Sequence, residues 1–341
     1  MFATEAEHEL QRLEWIAASG GPISPVTTTP LDAGFSEFPA APTPDARALL
    51  VLSSQTLAEG QTLDHFGLLE LDALPGTPRA IGPQAQLRNP SWAPDGTWLV
   101  FESNAESFRD LYRLDLASGS VLRLTNDPQG NFEPAVSPDG QRIAFVSSRD
   151  GNAEIYVMTA DGGSPTRLTY AIGDDSAPIW SPEGQTIAFF SGRERERGID
   201  LFVMDAEGKH QRPLIDDPTR TQSIIARDAS FSPEGKHLAF TQLVPSGEGG
   251  GVVIVDAQTG KVVARTIGER VDEQPTWSPD GQHLAFARNR GEHSDIARIR
   301  VDGSELVVLT SGEGVHWLPR WVADRECPRA APPRPSPASR G

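Results

Sequence analysis

Hydrophobic positions in this chain fall in short runs, separated by clusters of Pro, Asp, Gly and Asn. Between Asn131 and Thr169 the runs are PAVS, RIAFVS, EIYVMT and TRLT. Ser137-Pro-Asp-Gly140, Arg149-Asp-Gly-Asn152 and Asp161-Gly-Gly163 stand between them. Each separator is turn chemistry: proline presets φ, aspartate accepts local backbone hydrogen bonds, and glycine takes positive φ at little cost. Four such runs joined by such turns predict one antiparallel meander. A sheet of this size cannot bury both faces alone, so it needs neighbours of its own kind.

The chain supplies them. With the acidic residue of Ser-Pro-Asp-Gly as marker, copies stand at Asp95, Asp139, Glu183, Glu234 and Asp280, with a worn copy at Asp45, at intervals of 50, 44, 44, 51 and 46 residues. Three residues before the marker are Trp92, Val136, Trp180, Phe231 and Trp277. Six after it are Phe101, Phe145, Phe189, Phe240 and Phe286. Four strands per repeat at this period predict an all-β fold, a β-propeller of four-stranded antiparallel blades. The fixed register of the Trp and Phe positions assigns those rings to the core between blades.

The chain ends extend the count. Leu318-Pro-Arg-Trp-Val-Ala-Asp324 repeats the first-strand pattern, with Asp324 lying 44 residues after Asp280. Phe2-Ala-Thr resembles the tail of a second strand, residues 12–17 a third and 23–27 a fourth. The expectation is seven blades, with six as the alternative, in a ring closed by N- and C-terminal strands sharing one blade. Whole blades are placed at about 34–82, 88–126, 131–169, 174–216, 222–268 and 271–311. The split blade takes 2–29 and 315–324, so one domain spans 1–324. Residues 325–341, rich in Pro, Ala and Arg, read as a disordered tail.

Charge and composition narrow the function. A net charge of −17 argues against a nucleic-acid partner and against anionic membrane surfaces, and leaves room for a basic partner. The single cysteine, Cys327, excludes an internal disulfide and a multi-cysteine zinc site. No apolar run is long enough to insert in a membrane. The N-terminus carries no signal peptide as written, which reads as cytoplasmic; a start inside an inferred strand suggests missing upstream residues, and with an upstream signal the location would be periplasmic or extracellular.

No Gly-x-Ser-x-Gly elbow, phosphate loop or His-Glu-x-x-His occurs, and the seven histidines are scattered singly. No cofactor or metal is expected. The candidate binding residues break the repeat on the loops leading into the first strands, at one mouth of the expected channel. They are Phe35, Glu37, Asn131, Glu133, Asp174, Asp175, Arg227, Asp228, Asp272, Glu273, His316 and Trp317. Acidic side chains predominate among them, which suits a basic ligand.

The pattern P-x-W-S-P-D-G-x-x-L/I-A-F, then D/E-I/L-Y/F-V-M, D-G-G and R-L-T, resembles the WD40-like repeat of the TolB-type propeller family. It runs most regularly through 88–126, 131–169, 174–205 and 271–310. The resemblance implies a partner-binding propeller, since the family's namesake is a periplasmic envelope component that binds proteins at its rim. That namesake is similar to a six-bladed ring with a further domain ahead of it. The expected function is thus a non-catalytic, monomeric scaffold for a protein or peptide, bound at an acidic channel mouth. The alternatives are a metal-assisted hydrolase or lyase built around His316, Asp272 and Glu273, and the sensory propeller of a longer regulator or peptidase.

Overall fold

The computed structural model describes residues 13–17, 24–26, 35–45, 47–56, 62–70, 78–106, 108–193, 198–217, 223–244, 250–266, 271–289, 294–310 and 319–322. Every regular element among them is a strand. The first two strands, β1 (Leu13–Ala17) and β2 (Ser24–Val26), belong to the last sheet in the stack. Sheet one contains β3 (Phe35–Pro42), β4 (Ala48–Thr56), β5 (Thr62–Glu70) and β6 (Arg79–Ala85). Sheet two contains β7 (Leu87–Trp92), β8 (Trp98–Ser103), β9 (Asp110–Asp115) and β10 (Val121–Arg123). Sheet three contains β11 (Asn131–Val136), β12 (Arg142–Ser147), β13 (Glu154–Thr159) and β14 (Thr166–Arg167). Sheet four contains β15 (Asp175–Trp180), β16 (Thr186–Ser191), β17 (Gly198–Asp205) and β18 (Arg212–Pro213). Sheet five contains β19 (Ile224–Phe231), β20 (His237–Leu243), β21 (Gly250–Asp256) and β22 (Val262–Arg265). Sheet six contains β23 (Asp272–Trp277), β24 (His283–Asn289), β25 (Ser294–Arg300) and β26 (Val307–Val308). The last strand, β27 (Arg320–Val322), pairs with β1.

Each of the six four-stranded sheets is an antiparallel meander. Sheets four and five are additionally joined by a short parallel pairing of β17 with β19. Gly198 makes that approach possible, because a Cβ there would meet the Ile224 carbonyl oxygen at 2.0 Å. The turn after each first strand is built as its residues require: the marker glycines Gly96, Gly140, Gly184, Gly235 and Gly281 all have φ between 67° and 73°. In the Ser137 turn the Gly140 N–H donates to the Ser137 carbonyl at 2.8 Å, and Ser137 Oγ donates to Asp139 at 2.5 Å.

Among the described residues the core is a series of layers between successive sheets. One cluster joins sheets two and three through Trp98, Phe145 and Tyr156, and the next joins three and four through Ile155, Trp180 and Phe189. Equivalent layers join the other neighbours, the last of them packing Trp321 against Ala285 and Ile296 of sheet six. The five repeated phenylalanines are all essentially buried. At three of the four tryptophans in this register the indole N–H bonds across to the preceding sheet. Trp180 Nε1 donates to Ala135 O at 3.1 Å, Trp277 Nε1 to Ser230 O at 3.0 Å, and Trp321 Nε1 to Thr276 O at 3.1 Å. Each bond ties a first strand to the first strand of the preceding sheet.

The first strands approach one another in chain order, from β3 through β7, β11, β15, β19 and β23 to β27, and β27 in turn approaches β3. The sheet carrying both chain ends is ordered β2-β1-β27. Here β1 pairs with β27 in parallel, Trp15 opposite Arg320, where a full meander places an antiparallel strand between first and third. First and third strands of a meander run the same way, so their direct contact is parallel. The expected second strand, Phe2-Ala-Thr, lies outside the described residues, as do residues 194–197 and the expected tail at 325–341.

Candidate binding surface at the first-strand bulges

Five first strands lose their ladder register at the same place. Bulges fall between Arg88 and Ser91, Phe132 and Ala135, Ser176 and Ile179, Arg227 and Ser230, and Glu273 and Thr276. In four of them a proline (Pro90, Pro134, Pro178 or Pro275) removes a ladder donor, which confines pairing to the residues on either side. The residue six before each marker then takes positive φ although none is glycine: Asn89 46°, Glu133 51°, Ala177 46°, Asp228 54° and Gln274 58°. A left-handed residue with a Cβ costs roughly 1–2 kcal/mol, less for Asn and Asp.

Hydrogen bonds to the neighbouring sheet offset part of that cost. The Glu133 N–H donates to Glu102 Oε1 on β8 at 2.6 Å. The Ala177 N–H donates to Glu133 Oε2 at 2.7 Å, and the Gln274 N–H to Thr241 Oγ1 at 3.2 Å. Asn89 Nδ2 also donates to Glu102 Oε1, at 2.6 Å. Glu102 is fully buried; its Oε2 has no hydrogen-bond partner and lies 3.7 Å from Arg109 Nη1. The Arg109 guanidinium sits 5.4 Å from the centre of the half-buried Phe132 ring. Burial pushes the Glu133 carboxyl up from its ordinary value; the Ala177 N–H opposes the shift and the nearby Glu102 charge adds to it.

The loops leading into the first strands use their polar residues internally. Asn131, Asp175 and Asp272 are 0%, 0% and 1% exposed. Asn131 Nδ2 donates to Asp110 Oδ1 at 2.7 Å and its Oδ1 accepts from Arg149 at 2.9 Å. Asp175 accepts from Arg193 at 2.9 Å, and Asp272 accepts two bonds from Arg288, both at 2.8 Å. The R-L-T element has a matching reason. Arg123 pairs with Asp110 at 2.6 Å and Arg167 with Glu154 at 2.9 Å, while Thr125 and Thr169 Oγ1 accept the N–H groups of Leu111 and Ile155.

Of the remaining candidates, Asp174 is exposed and accepts the Ala153 N–H at 3.1 Å. Arg227 pairs with Glu273 of the next sheet and lies 3.5 Å from Asp228. Phe35 and Glu37 lie on β3 opposite Gln55 and Ser53, with side chains outside the described residues, as are His316 and Trp317 entirely. Asn131, Asp175 and Asp272 therefore hold the scaffold. Glu133, Arg227, Asp228, Glu273 and Gln274 share the bulge belt with Arg88, Asn89 and Arg109, and its charge is of both signs. Glu102 was legible in the repeat: the position seven after the marker is Val146, Phe190, Thr241 and Ala287 elsewhere, so a carboxylate there is the exception.

The family described as the tricorn protease N-terminal β-propeller domain matches residues 108–244. The Tol-Pal system protein TolB of Francisella tularensis subsp. tularensis (strain WY96-3418) is 30% identical over 239 residues, covering 69% of this chain and 54% of that protein. Solved TolB from Acinetobacter baumannii superposes with a TM-score of 0.55 at 23% identity, over 84% of this chain and 67% of that one. An oligogalacturonate lyase from Vibrio parahaemolyticus superposes with a TM-score of 0.63 at 12% identity, over 87% and 84%, a likeness of fold alone. The chain spans between 18% and 54% of the curated relatives it matches.

Proposed function

Because this chain belongs to the TolB-like β-propeller family, we propose that it is a non-catalytic scaffold that binds a protein or peptide at the belt of first-strand bulges. The observation that carries the proposal is the alignment of five left-handed residues on adjacent first strands, three of them tied through their N–H groups to the neighbouring sheet. The belt presents Arg88, Arg109, Arg227, Asp228, Glu133 and Glu273 on a backbone already held in place, which lowers the ordering cost of binding. Mixed charge suits a polypeptide with both signs better than a uniformly basic one.

The ring is proposed to hold seven blades, the last shared between β27, β1 and β2. Two observations support that count: the cyclic order of first-strand contacts, and the Trp321 bond that repeats those of Trp180 and Trp277. No helix among the described residues is long and apolar enough to cross a membrane. The similarity to a Tol-Pal system protein supports a cell-envelope setting as part of the same proposal, checked by fractionation of the source cells.

Affinity capture from a lysate of the source organism tests the binding site, with an Arg88→Glu/Asp228→Asn variant run beside the wild type. Both side chains are exposed, and asparagine tolerates the left-handed conformation at 228. A protein held by the wild type and lost by the variant supports the belt; equal retention moves the site elsewhere. A hydrolase or lyase would draw on the adjacent carboxylates Glu102 and Glu133. Turnover of an oligosaccharide or peptide that disappears in Glu133→Gln would replace the scaffold by that enzyme.

A further inference from the structure

The loop between β14 and β15 carries the two most exposed large hydrophobic side chains among the described residues, Tyr170 at 71% and Ile172 at 83%. The loop is held firmly. Asn152 Nδ2 donates to the carbonyls of Ala171 and Gly173, on either side of Ile172, at 3.0 and 3.1 Å. The Arg167 guanidinium lies 4.5 Å from the centre of the Tyr170 ring, and the Tyr170 hydroxyl donates to the Arg167 carbonyl at 3.2 Å. Gly173 packs so closely on the next sheet that a Cβ would meet the Gly192 carbonyl oxygen at 2.3 Å. These contacts fix an apolar tip in water.

The fold does not require it. The equivalent loop one sheet earlier has the same length from Thr125 to Asn131 as this one from Thr169 to Asp175. It reads Asn126-Asp127-Pro128-Gln129, with polar Asn126 at the position of Tyr170 and the smaller Pro128 at that of Ile172. A rigid aromatic–aliphatic pair loses little entropy when it inserts, as the anchors of protein interfaces do. Around it stand Asp174, exposed, and Asp150, whose side chain is half exposed; Arg167 pairs with both Asp150 at 3.2 Å and Glu154 at 2.9 Å, two carboxylates to one guanidinium, so the border stays acidic. A projecting apolar tip with an acidic border complements a recess with a basic one.

We propose that Tyr170 and Ile172 form the anchor for a folded protein partner offering an apolar pocket rimmed by Lys or Arg. The proposal rests on the scaffold reading and names a second contact, in one of the loops leading into the first strands. The test places a photo-crosslinking phenylalanine analogue at position 172 of the full chain, expressed in the source organism. The expected adduct is with a different protein, and the linked peptide borders an apolar pocket flanked by Lys or Arg. That purified partner should bind Tyr170→Asn/Ile172→Ser roughly tenfold or more weakly than wild type, the loss of one interface anchor, and should weaken with salt. The neighbouring loop, of the same length and without a large side chain at either position, indicates that this variant folds, and an unchanged melting temperature verifies it.

An adduct only with a second copy of this chain, a polar contact surface, or unchanged affinity of the loop variant overturns the anchor. A partner lost by Arg88→Glu/Asp228→Asn but kept by the loop variant overturns the anchor and leaves the belt standing. A partner lost only by the loop variant keeps the anchor and displaces the belt. No adduct at 172 together with no captured protein sinks both.

Discussion

The repeat offers its own test of how the bulges are held. Glu102 accepts the Glu133 N–H at 2.6 Å, and three sheets later Thr241, in the same register, accepts the Gln274 N–H at 3.2 Å. Val146 occupies that register in between. Glu102→Thr and Glu102→Val are nearly isosteric with each other, so their difference isolates the acceptor. Both remove the buried carboxylate, its unsatisfied Oε2 and the bond from Asn89 alike. Only the valine leaves the Glu133 N–H without an acceptor. An unsatisfied buried donor costs about 1–3 kcal/mol, and a half-buried site belongs near the lower end. The valine variant is expected to be about 1–1.5 kcal/mol less stable than the threonine variant. Urea melts read as midpoint shifts at common slope measure the difference, and hydrogen exchange at the Glu133 amide localises it. Equal midpoints with equal protection of that amide would refute the claim that this bond secures the left-handed residue.

Four further outcomes follow from particular contacts. Trp180→Phe loses the bond to Ala135 O and should lower stability by about 1 kcal/mol, whereas Trp92→Phe, whose indole N–H has no partner, should cost distinctly less by the same melts. Arg288→Ala leaves Asp272 buried with its two charge-assisted bonds gone, so about 3–5 kcal/mol is expected. Arg227→Ala breaks a pair whose arginine is 45% exposed and should cost at most about 1 kcal/mol. The Glu133 carboxyl lies above its ordinary value of 4.5, so the fold binds its proton more tightly than the unfolded chain does. Its contribution is therefore largest below that ordinary value and is lost as pH rises through the raised one. Melting temperature against pH should show this decline in the wild type and not in Glu133→Gln.

Sequence alone determined the repeating architecture, because its causes are local. Alternation of short apolar runs with Pro-Asp-Gly turns dictates strands and hairpins, and the recurring Trp and Phe positions dictate which faces meet. The family resemblance rested on those same residues, and the tryptophan N–H bonds between sheets give the register its physical reason. The prolines within the first strands even marked where the ladder would break.

Tertiary structure decided what the polar residues do. Asp175 and Asp272 read as free acids beside a channel, yet their arginines come from 18 and 16 residues away and bury them. No local pattern distinguishes an aspartate so paired from an exposed one. Glu102 works the other way: it sits among apolar positions in its own strand, and its partner is a backbone N–H 31 residues later on the next sheet. Such pairings depend on how one sheet lies against the next. Local preference can build each meander, but only their stacking brings a carboxylate of one to the strained backbone of another.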